Sequence, residues 1–171
     1  MIGIFDSGVG GLTVVRELRR LLPDAPLLYF GDTARTPYGN KGPDTIRRFA
    51  VEDAQLLIDR GATVLVVACN TMSAVGLNAL RERFPGVPLF DVITPAVAAA
   101  RNAKCVAVIG TRTTVSTHIY LQRLKAQTAG VKVIEQACPL LVPLVEEGML
   151  AAPETTKTVR RYLAPLKRHD P

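Results

Sequence analysis

Residues 68–71 read Ala-Cys-Asn-Thr and close the apolar run 63–69, TVLVVAC. A cysteine there is either a small core residue or a nucleophile, since free cysteines are among the most buried side chains. The positive end of a following helix would lower its pKa and favour the reactive thiolate, and Asn70 and Thr71 add an amide and a hydroxyl beside it. The stretch FDSGVGGLTV (5–14) sets Asp6, Ser7 and three glycines at a strand-to-helix turn. Exposed N–H groups at such a turn can hold an anion. Asp6 would repel a phosphate, so it fits better as a partner for an ammonium group or as a carboxylate that orients an acid or base. An ordinary N-cap accounts for Asp6 and Ser7 equally well. TPYGN (36–40) is punctuated as a turn; Tyr38 and Gly39 gain interest only if that loop shares an edge with Asp6 and Cys69.

The remaining candidates are weaker. Cys105 lies inside an apolar run and Cys138 precedes Pro139 rather than polar donors, so both read as structural. His118 falls on a helical stretch after a hydroxyl-rich turn, and His169 lies in the terminal tail. No spacing of Cys, His and Asp suits a zinc site or a hydrolase triad, and neither GxGxxG nor GxxxxGK[ST] occurs. Neither a metal nor a cofactor is expected.

These groups need elements to position them. Continuous apolar runs at 1–5, 26–30, 63–69, 87–92, 104–110 and 131–137 suit strands covered on both faces. Helical patterns lie between them near 11–22, 43–60, 72–84, 95–102, 114–129, 140–148 and 153–165. The alternation predicts an α/β fold: two similar small units, each a parallel sheet flanked by helices, the second incomplete. The expected division is 1–95 and 96–171, near Pro95 in DVITPAVAAA. In such sheets ligands bind beyond the carboxyl ends of the strands, where 6–11, 31–42 and 69–71 should converge. The second unit repeats the plan with GTRTTVST (110–117) after its first strand. The separation of Asp6 from Cys69, carried forward from Thr111, runs past Pro171, so a strand equivalent to the one bearing Cys69 is expected beyond the last residue.

The chain has 171 residues, is 48% hydrophobic and carries a net charge of +6, enough for one compact domain or two small ones. Its basic residues are scattered over helix-like stretches without interleaved aromatics, so they read as solvated faces rather than a nucleic-acid surface. No apolar run approaches the roughly 20 residues of a membrane span, and no secretory signal is read at the N-terminus. A cytoplasmic location is expected.

With FDSGVGGLTV, GDTARTPYG and ACNT in that order, followed by VIGTRTTVSTHIY (108–120) and ACPLLVPLVEEG (137–148), the sequence resembles glutamate racemases of the aspartate/glutamate racemase superfamily. The resemblance implies cofactor-independent interconversion of L- and D-glutamate by two cysteines, supplying D-glutamate for peptidoglycan. It implies that Cys69 is the first cysteine, acting on D-glutamate, with Asp6 assisting. Asp6, Ser7, Tyr38, Gly39, Asn70, Thr71, Thr111 and Thr114 match substrate-binding positions, and Met72 stands where a smaller alanine is common. The expected partner is a small-molecule substrate, glutamate, with no nucleic acid and no membrane; a homodimer is left open. The family's second cysteine lies in a GCTHYP motif that these residues lack, so a truncated, inactive or impaired racemase is expected. A non-catalytic module binding an acidic amino acid and an aspartate racemase are the alternatives.

Overall fold

In the computed structural model, which describes residues 1–169 and Pro171, the six apolar runs form six strands. The first four make one parallel sheet: β1 (Ile2–Asp6), β2 (Leu27–Gly31), β3 (Val64–Val67) and β4 (Leu89–Asp91), in the order β2-β1-β3-β4. Parallel neighbours need helical crossovers, and the intervening segments supply them. These are α1 (Leu12–Leu21), α2 (Pro43–Asp59), α3 (Asn70–Val75) and α4 (Leu77–Arg83), with one 3₁₀ turn at Tyr38–Asn40. β1 lies between two neighbours, pairing Phe5 with both Phe30 and Val67. Ile4 and Phe5 are accordingly fully buried.

α2 seals one face of this sheet. Its buried residues Ile46, Phe49, Ala50, Asp53, Ala54 and Leu57 recur at helical spacing and form a single stripe. Five of the six are apolar, and each large side chain so buried contributes roughly 1.5–3 kcal/mol. Asp53 is the exception, and its partners are described below. The expected helix 72–84 is two shorter helices meeting at Gly76. A Cβ there would lie 3.0 Å from the Cβ of Ala50 and 3.1 Å from the carbonyl oxygen of Met72, so glycine lets α2 pack closely against the bend.

The chain divides into two compact units, Met1–Val92 and Ile93–Pro171. The boundary falls just ahead of the junction expected at 95/96, because α5 (Ile93–Ala99) packs on α7 (Ile119–Gln127) of the second unit. That unit contains a two-stranded parallel sheet, β5 (Cys105–Gly110) with β6 (Lys132–Ala137), and the helices α6 (Arg112–Ser116), α8 (Leu141–Glu146) and α9 (Pro153–Leu163). The expected helix 114–129 is broken: α6 ends before Thr117, and His118 takes a left-handed φ of 52° ahead of α7. The expected strand 63–69 stops at Val67, although the Ala68 N–H still bonds the Phe5 carbonyl. Among the described residues no helix is long and apolar enough to cross a membrane.

Candidate active site

Asp6 ends β1 and points into the loop that follows it. Its Oδ2 accepts the N–H groups of Gly11 at 2.9 Å and Gly8 at 3.3 Å. The anion held at this turn is therefore the protein's own carboxylate. The glycines serve that packing: a Cβ on Gly11 would sit 2.7 Å from the Cβ of Asp6 and 3.0 Å from the Tyr29 ring. The Tyr29 hydroxyl donates to the Gly8 carbonyl at 2.6 Å and fastens the loop from β2.

Cys69 sits where β3 gives way to α3, with extended backbone at the N-cap position. Its Sγ accepts the Met72 N–H at 3.5 Å, and its S–H donates to Ser7 Oγ at 3.5 Å. Only 4% of the residue is exposed. Burial raises its pKa from 9.0 to about 11, the Asp6 charge adds to the rise, and the bonds from Ser7 and Met72 oppose it. The expectation of a thiol acidified by a helix N-terminus is thus reversed. α3 has only six residues, and removal from water outweighs the one N–H it offers the sulfur. Met72 is fully buried in the core that includes Phe49, Leu65 and Cys69.

Asn70 is exposed and Thr71 buried at the first turn of α3. The 31–42 loop also ends on this unit, but the Tyr38 side chain is committed elsewhere. It is fully buried, stacks at a tilt on Phe49 with ring centroids 5.4 Å apart, and donates its hydroxyl to Asp32. Gly39, beside it in the same 3₁₀ turn, is buried too. Arg35 binds Asp32 Oδ2 through Nε at 2.5 Å, Asp53 Oδ1 through Nη2 at 2.7 Å, and Glu52 through Nη1. The guanidinium also lies 4.0 Å from the Phe49 ring centroid. Asp32, Arg35 and Asp53 are not among the residues singled out from sequence. The signal available is a charged position, Asp53, on the apolar stripe of α2.

In the second unit, Thr111 caps α6: its Oγ1 accepts the Thr114 N–H at 3.1 Å and lies 2.9 Å from Thr114 Oγ1. Thr114 is 2% exposed, and its carbonyl accepts the Thr117 hydroxyl at 2.7 Å. His118 follows, with Nδ1 2.5 Å from Oε2 of Glu135 on β6. That cross-element pair accompanies the left-handed residue that breaks the expected helix. Among the described residues no cluster of His, Cys, Asp and Glu is arranged to hold a metal.

By fold the chain is an α/β protein with parallel sheets flanked by helices, carrying in its first unit a buried thiol bonded to a serine hydroxyl and a helix N–H. Residues 12–169 match the Asp/Glu/Hydantoin racemase family, and the chain belongs to that family. It is 48% identical over 167 residues to a glutamate racemase of Roseiflexus sp. (strain RS-1), covering 96% of this chain and 61% of that protein. Among solved structures it resembles glutamate racemase from Francisella tularensis in complex with D-glutamate, with a TM-score of 0.91 at 37% identity, covering 95% of this chain and 62% of that one. A glutamate racemase from Thermus thermophilus in complex with beta-chloro-D-alanine superposes with a TM-score of 0.83 at 48% identity, over 95% of this chain and 61% of that one. The chain thus spans about three-fifths of the length of these relatives.

Proposed function

We propose that this chain carries the proton-transfer half of a glutamate racemase, with Cys69 moving the α-proton of glutamate and no cofactor taking part. The observation that carries this reading is the Cys69 thiol held between Ser7 Oγ and the Met72 N–H beside Asp6. An α-proton is weakly acidic, so its base must be strong as well as aimed. A thiol driven up to about 11 is a stronger proton acceptor, once ionised, than an ordinary one. An incoming ammonium group near Asp6 would offset the negative charge that holds the thiolate back. Cys69 would remove the α-proton from one face of D-glutamate, and inversion requires a second acid on the other face. Neither remaining cysteine suggests that acid: Cys105 directs its S–H to the His169 carbonyl, and Cys138 directs its own to the Gln136 carbonyl. In the first unit Ser7, Gly39, Asn70 and Thr71 form the proposed binding set; Thr111 and Thr114 of the second unit are proposed on the family resemblance alone. In the whole protein the product would be D-glutamate for peptidoglycan, made in the cytoplasm.

The test is solvent deuterium entering the α-position of D- or L-glutamate, followed by proton NMR. The 171-residue chain should exchange one enantiomer without inverting it, and Cys69→Ser should stop the exchange. Exchange that survives Cys69→Ser would refute this role for the thiol, and full inversion by the chain would refute the single-thiol reading.

A further inference from the structure

The Tyr38 hydroxyl has one hydrogen and two carboxyl neighbours. Asp32 Oδ2 accepts that hydrogen, while Asp53 Oδ2 lies 3.1 Å from the same phenolic oxygen. With the tyrosine's hydrogen committed to Asp32, the contact to Asp53 is satisfied only by a hydrogen on Asp53 itself. The other oxygen, Oδ1, accepts from Arg35. A count of charge agrees. Asp32 is 4% and Asp53 1% exposed, and one guanidinium lies between them, while the third carboxylate, Glu52, reaches solvent. Two buried anions against one cation leave a surplus negative charge out of water, and a single proton on Asp53 removes it.

We propose that Asp53 is a neutral carboxyl donating to Tyr38 Oη, and that it is a positioning residue: while neutral it clasps the 32–40 loop onto α2, and on ionising it loosens that loop. The loop carries Gly39, so the functional part of this proposal rests on the racemase reading above. The protonation itself does not. Burial is the largest cause raising the Asp53 pKa, to about 7, followed by the charge of Asp32. Arg35 and the hydrogen bond with Tyr38 oppose the rise, and Glu52, on the same helix, adds to it. The other elements packed on α2 have their own engagements. In β1 the Asp6 carboxylate is held by Gly8 and Gly11; in β2 the Tyr29 hydroxyl is held by Gly8; in α4 Arg83 bonds Gln55. α3 has no titratable side chain, and the remaining charges of α4 are Arg81 and Glu82.

The sign follows from linkage. A carboxyl whose pKa rises from 3.8 unfolded to about 7 folded contributes fully below the lower value. Its contribution declines as pH climbs to about 7 and is flat above, raising the unfolding equilibrium constant by about a thousand-fold across the window. The experiment is a carbon-13 titration of the aspartate carboxyls in the 171-residue chain, with urea unfolding at each pH, for wild type and Asp53→Asn. An asparagine amide can donate to Tyr38 and accept from Arg35, so this variant should fold and lose that decline. One carboxyl resonance, missing from the variant, should titrate near pH 7. Titration of that resonance in the ordinary carboxylate range, or a wild-type pH decline in Asp53→Asn, would overturn the proposal. Glutamate affinity should fall over the same window in wild type and hold in Asp53→Asn. A flat wild-type affinity would refute the positioning role. A chain that binds no glutamate at any pH would sink the racemase reading, while the carboxyl titration still decides the clasp.

Discussion

The state of the Cys69 thiol gives the sharpest prediction. Its pKa rises from 9.0 to about 11, so at neutral pH only about one molecule in ten thousand carries the thiolate. Two pKa units correspond to about 3 kcal/mol of preference for the thiol, and the side chain is buried, so screening by water takes little of it. The assay is a pH titration of the cysteine Cβ resonance that disappears in Cys69→Ser, followed in the unliganded chain. Its midpoint should lie well above that of an ordinary thiol. In Asp6→Asn it should move down, because a neighbouring negative charge is gone, yet remain above 9.0, because burial is the larger cause. A midpoint at or below 9.0 in the unsubstituted chain would refute the balance argued above and restore the helix terminus as the stronger influence. An unchanged midpoint in Asp6→Asn would remove Asp6 from the account.

Two further expectations follow from the packing. Gly11→Ala should destabilise the chain by about 1–3 kcal/mol in urea unfolding, because the new methyl meets the Asp6 Cβ at 2.7 Å; no loss would mean that the loop yields easily. Arg35→Met strips the guanidinium from buried Asp32 and should cost about 3 kcal/mol in urea unfolding at neutral pH. A loss well under about 1 kcal/mol would refute that account.

Continuous apolar runs suffice to locate all six strands, because a parallel strand covered by helices leaves little room for polar alternation. The helix interruptions are harder to read. Gly76 sits inside a sound helical pattern, and a lone glycine there is commonly tolerated; what matters is the approach of Ala50, some 26 positions earlier in sequence. His118 is similar, since its partner Glu135 lies on a separate strand. The clasp around Arg35 is the least legible feature. In sequence Asp32, Arg35, Glu52 and Asp53 are ordinary charges of a kind usually found in solvent, and only the tertiary fold brings them together and buries the two aspartates. Cys69 and Asp6 stand out in the sequence by position, but the direction in which the thiol shifts does not. It depends on a competition between burial and one N–H that composition does not weigh.

The loop after β1 is wound around its own carboxylate, with Gly8 and Gly11 as donors and Tyr29 fastening the Gly8 carbonyl from outside. Its shape is therefore fixed when the chain folds rather than when a ligand arrives. Under the racemase reading proposed above, a molecule entering beside Asp6 would meet a preorganised rim and lose little conformational entropy in shaping it, so selectivity there would come from fit to a rigid contour.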